Sequence, residues 1–65
     1  MPQASPELRA MWADERVALD YLEGRGIHEV RNGILLIPAG KTLDEKDGSA
    51  IDYLIDEWDF TWIRR

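Results

Sequence analysis

The sequence predicts an α+β domain with its elements in the order α-β-β-α-β, two helices packed on one face of a small, mainly antiparallel three-stranded sheet. Three observations carry this expectation. Apolar residues recur at helical spacing on either side of a central stretch, Asn32-Gly33 lies between two strand-like runs, and the chain closes on the alternating Phe60-Thr61-Trp62-Ile63. With 65 residues the chain is read as a single small domain, 1–65. A core of that size is modest for its surface, so oligomerisation is a natural supplement to its stability.

A short polar tail, expected to be flexible, occupies 1–4. Ser5-Pro6-Glu7 then reads as a helix start, with a capping hydroxyl, a proline at the first helical position and an acid at the positive end of the dipole. The spacing predicts one helix over about 6–23. Leu8, Met11, Trp12, Leu19 and Leu22 fall on one face, with Glu15 as the exception within that stripe, and Gly24-Arg25-Gly26 supplies a left-handed stop. Ala10, Val17 and Tyr21 form a second apolar strip that a helix covered on one side does not need, which marks it as a contact surface.

Residues 27–37 predict a β-hairpin turning at 32–33, because Asn-Gly is the preferred pair for a type I′ turn. That turn sets Arg31 opposite Ile34, Val30 opposite Leu35, Glu29 opposite Leu36 and His28 opposite Ile37. The unbroken Ile34-Leu35-Leu36-Ile37 suits a central strand. Pro38-Ala39-Gly40 ends it, and Thr42-Leu43-Asp44-Glu45 has the capping-box pattern of a second helix over about 43–58, with Thr42 as cap. Gly48 weakens the first half of that helix. Its core stripe is Ile51, Leu54, Ile55 and Trp58, and a short third strand over about 60–64 follows.

Bulk properties exclude several function classes. There is no cysteine, which removes disulfides, thiolate nucleophiles and thiolate metal sites and fits a reducing compartment. Neither a signal peptide nor an apolar run near the ~20 residues of a membrane span is legible, so a soluble, cytoplasmic protein is expected. A net charge of −5 disfavours direct binding to nucleic acid or anionic membrane and favours a basic protein partner.

No constellation of catalytic residues is apparent. Gly40-Lys41-Thr42 sits between a strand and a helix as a phosphate-binding loop would, but the first glycine of that motif would fall at Leu35, so a plain strand-to-helix turn is the better reading. His28, the lone histidine, has no second histidine or spaced carboxylates in its own element. Ser5 and Ser49 are not on nucleophile elbows. Glu15 has no evident pocket to work in. Trp12 and Trp58 sit at core spacing, whereas Trp62 lies on the terminal strand. The expectation is a protein that is not an enzyme and takes neither a cofactor nor a metal.

Charge is distributed unevenly. Residues 44–59 hold seven Asp and Glu against Lys46, whereas 1–43 hold six against five basic residues. Glu45, Asp52, Asp56 and Asp59 cluster on one flank of the second helix, with Glu57 beside them. The expected function is a non-enzymatic binding module whose acidic helix docks into a basic, nucleic-acid-binding groove of a partner protein. In size and charge only, the chain is similar to charge-mimicking phage counter-defence proteins, which occupy such grooves. The alternative is a structural homodimer or assembly subunit that uses the second strip (Val17, Tyr21) or the apolar sheet face (Ile34, Leu36, Trp62).

Overall fold

The computed structural model describes residues 6–65. The tail expected at 1–4 and the Ser5 cap lie outside the described residues. The elements run α1 (Pro6–Arg9), α2 (Glu15–Gly24), β1 (His28–Arg31), β2 (Ile34–Ile37), α3 (Glu45–Trp58) and β3 (Thr61–Arg64). The α+β class holds, with two differences in its parts.

The first difference is that the expected helix over 6–23 is two helices. Turn hydrogen bonds from the Met11 N–H to Leu8 O and from the Trp12 N–H to Arg9 O close α1, and the chain restarts at Asp14, whose carboxylate accepts from the Val17 N–H at 3.0 Å. An aspartate N-cap competes well with continued helix, because its side chain satisfies an amide that the preceding turn would otherwise have to serve. The break frees Trp12 to turn inward. Its buried indole N–H donates to Ser49 Oγ on α3 at 2.8 Å, and its ring packs on Tyr21 with centroids 5.3 Å apart. It also re-phases α2, so Ala18 joins Leu19 and Leu22 in the core while Met11 is left exposed.

Helix α2 ends as its glycines predict. Gly26 is left-handed (φ 85°), its N–H donates to Glu23 O, and the Ile27 N–H reaches back to Leu22 O at 2.9 Å. This is a Schellman closure, and the residues at its two ends, Leu22 and Ile27, are both buried.

The second difference is in the sheet. Its order is β1-β2-β3, antiparallel between β1 and β2 but parallel between β2 and β3, so the sheet is mixed rather than mainly antiparallel. A helix-length connection is what permits a parallel return, and α3 provides it. Within the hairpin, Arg31 faces Ile34 as expected, but Glu29 faces Leu35 and His28 faces Leu36, because a bulge at Val30 shifts the register. The turn explains the shift. Only Gly33 has positive φ (84°), so the turn is not type I′, which needs it at both central residues. Instead the Glu29 carboxylate folds over the loop and accepts from the Gly33 N–H at 2.9 Å.

Helix α3 is capped by Asp44, not Thr42. Asp44 Oδ1 accepts from the Asp47 N–H (2.8 Å) and Asp47 Oδ2 accepts from the Asp44 N–H (3.2 Å), a reciprocal capping box that carries the helix through Gly48. Its far end stops at Asp59, a non-glycine residue in the left-handed region (φ 56°, ψ 32°). The helices lie on one face of the sheet. Trp12, Leu19, Leu22, Ile27, Ile51 and Leu54 meet Leu35, Ile37 and Phe60 in one buried cluster. Trp58, expected in that cluster, is 45% exposed, its indole N–H donating to Tyr53 Oη.

Candidate interaction surfaces

The buried polar centre is Asp47, which has 0% of its surface exposed. Arg25 grips it with Nε at 3.1 Å and Nη2 at 3.3 Å, and the Asp44 N–H and the Tyr21 hydroxyl add to the cradle. Burial alone would push the Asp47 carboxyl up, but the bonds from Arg25, Asp44 and Tyr21 outweigh it and hold the group below its ordinary value of 3.8. This constellation ties the α2 stop to the α3 start. Its acceptor sites are all taken internally, and the amide at the α3 N-terminus that a phosphate would use is occupied by Asp44. Lys41 lies in a turn closed by its own N–H to Pro38 O, and its carbonyl accepts from the Arg64 guanidinium.

The acidic row is less continuous than its spacing suggests. Glu45 and Glu57 are exposed, and Asp59 is exposed as the α3 cap. Asp56, however, is bridged by Arg9 Nη2 at 3.0 Å, since α1 folds against this flank of α3 and the same guanidinium lies 6.0 Å from the Tyr53 ring. Asp52 is half-buried beside it. Burial first, and the neighbouring Asp56 charge second, push the Asp52 carboxyl up, with Arg9 opposing. Helical spacing found these residues; it could not show that a separate four-residue helix would lay an arginine among them.

The apolar contact candidates also separate. Val17 is exposed on α2, but Tyr21 does not share an outward strip with it, being packed between Trp12 and Lys46, whose Nζ sits 4.6 Å from the ring centroid. On the sheet, Ile34 and Leu36 stand on the face opposite the helices. Trp62 does not join them, because the parallel register pairs it with the inward Leu35, while Ile63 pairs with Leu36. The residues that sequence reasoning missed are Val30, Arg31, Ile63 and Arg65. With Ile34 and Leu36 they line a groove of about 340 Å³ on the open sheet face.

The bulge is what builds this groove. In an unbroken strand the neighbours Val30 and Arg31 would point to opposite faces, yet both line the same side here. Val30 is 48% and Ile63 37% exposed, and no described element covers them. The guanidinium groups of Arg31 and Arg65 have no hydrogen-bond or ion-pair partner among the described residues, although acidic residues outnumber basic ones 13 to 8 in the chain. The surface is therefore apolar at its centre and cationic at its rim, on an otherwise acidic molecule.

A second cleft, about 180 Å³, runs between α2 and β1 and is lined by Arg16, Leu19, Glu23, His28 and Glu29. Its parts are engaged elsewhere or unpaired: Glu29 closes the hairpin turn, Arg16 bridges Asp20 at 3.1 Å, and the His28 imidazole makes no hydrogen bond among the described residues. Among those residues no group of His, Asp and Glu is placed to hold a metal ion, and no helix is long and apolar enough to cross a membrane.

A family model described as "Phage Pam3 gp59 related protein" matches residues 1–64. No curated protein and no solved structure matches the chain. The protein thus belongs to the Phage Pam3 gp59 related family, a phage-related group of proteins.

Proposed function

We propose that this protein is a non-enzymatic assembly module that buries the open face of its sheet against another polypeptide. The observation that carries the reading is the groove of Val30, Ile34, Leu36 and Ile63, apolar, covered by no described element and rimmed by two arginines that have no side-chain partner among the described residues. A chain this small gains most from such a contact, because association supplies the buried apolar surface that its own core lacks. Membership of a phage-related family is consistent with an accessory or structural role.

A second reading is the docking of α3 into a basic groove. It is favoured by Glu45, Glu57 and Asp59, which are exposed and have no side-chain partner among the described residues. It ranks below the first because Arg9 pairs with Asp56 and Asp52 is half-buried beside it. Two variants separate them. Leu36→Lys abolishes association under the first reading and leaves it intact under the second, while Glu45→Lys, at the opposite end of α3 from Trp58, does the reverse, both read by light scattering behind a sizing column with thermal melts as the folding control.

A further inference from the structure

We infer that the groove on the open sheet face receives the C-terminal end of α3 from a second copy of the chain, so that copies join head to tail. The inference rests on the sheet-face reading above and names the occupant. The groove presents apolar walls between two cationic groups, Arg31 and Arg65. Its complement must offer an apolar or aromatic projection flanked by acids. One place on the described surface has that form: Trp58, 45% exposed at the end of α3, between Glu57 and Asp59.

The backbone presents this projection. Asp59 in the left-handed conformation ends the helix abruptly, so Trp58 and its acidic neighbours stand at a terminus rather than along a face. The Trp58 indole N–H already donates to Tyr53 Oη, which orients the ring and lets it enter an apolar groove without stranding its donor. Electrostatics agree, since the end of α3 adds the negative pole of the helix dipole to the two carboxylates. Projection and groove belong to opposite layers of the fold, α3 packing on the inner residues Leu35 and Ile37 while Ile34 and Leu36 face away. One molecule cannot satisfy itself, and the contact is heterologous, generating a ring or an open stack rather than a closed two-fold dimer.

The test uses variants that each block one end. Arg31→Glu/Arg65→Glu blocks the groove, and Trp58→Ala or Glu57→Lys/Asp59→Lys blocks the projection; all four charge changes are at exposed positions, and a thermal melt of each variant checks that it is folded. Light scattering on the wild type should give a mass that rises with concentration and falls with salt, as expected of a charge-assisted contact. Each blocked variant alone should stay monomeric, with association weakened at least about thirty-fold for Trp58→Ala, the size of an interface hot spot. Mixing a groove-blocked with a projection-blocked variant should restore one sound contact and give a dimer that grows no further.

A wild type that is monomeric at every concentration overturns the inference, as does dimerisation by a groove-blocked variant alone, which would mean a two-fold contact elsewhere. The broader sheet-face reading fails separately. It falls only if Leu36→Lys leaves every association unchanged.

Discussion

Replacing Asp47 by alanine should cost about 2–3 kcal/mol of folding stability. Half of the capping box goes with it, worth about 1 kcal/mol in helices generally. The charge-assisted bonds from Arg25 and the Tyr21 hydroxyl go too, for about 1–2 kcal/mol. The loss stays below the roughly 3–5 kcal/mol of a broken buried ion pair, because the Arg25 side chain is 41% exposed and keeps Asp44 3.6 Å away. A 65-residue domain has a total stability of roughly 3–10 kcal/mol, so the variant would sit near its folding limit. Urea denaturation followed by tryptophan fluorescence measures this directly. With a slope near 1 kcal/mol per molar urea, the midpoint should fall by about 2–3 M. The pH dependence gives a second readout. Because the native Asp47 pKa is depressed, its contribution is fully present above the unfolded value and is lost as pH falls through the lower native one. The gap between wild type and the near-isosteric Asp47→Asn should be full at neutral pH and narrow as pH drops below 3.8. A midpoint shift under about 0.5 M for Asp47→Ala, or a gap to Asp47→Asn that is flat with pH, would refute the reasoning.

Other substitutions test separate parts of the fold. Ser49→Ala removes the acceptor of the buried Trp12 indole N–H and should cost about 1–3 kcal/mol in the same urea assay, with a shift in tryptophan emission. Asp59→Gly should stabilise by about 0.5–1 kcal/mol, since it relieves a left-handed non-glycine residue and removes a negative charge from a helix C-terminus, and it should raise the melting temperature. Arg9→Gln breaks an exposed ion pair and should change stability by less than about 1 kcal/mol. By returning Asp56 to the free acidic surface, it should strengthen any binding of α3 to a basic partner at low salt.

Much of the fold was legible because short-range signals set it. Gly26 stops α2, Asn32-Gly33 turns the hairpin, and Leu19, Leu22, Ile51 and Leu54 bury at helical spacing. What was not legible depended on contacts between distant residues. Asp14 reads as an ordinary polar residue within a helical run, and only the reach of Trp12 to Ser49, 37 residues away, makes the break worthwhile. Asp47 reads as one more acid on an acidic helix, yet it is the most buried charge in the molecule because Arg25 comes to meet it. The open sheet face was half visible. Ile34 and Leu36 followed from alternation, but Val30 needed the bulge, and Ile63 in place of Trp62 needed the parallel register of β3, which no local pattern encodes.

The absence of native cysteine allows the most direct measurement. A single thiol at position 63 (Ile63→Cys) or, as a control, at position 20 (Asp20→Cys) can be titrated with a maleimide on dilute purified protein and on protein in lysate of its source. Burial of the sheet face against another chain predicts that the thiol at 63 reacts freely when dilute and is at least about tenfold slower in the lysate or at high protein concentration, while the thiol at 20 reacts equally throughout. Equal reactivity of the thiol at 63 in every condition would contradict it and leave the open face without a role in assembly.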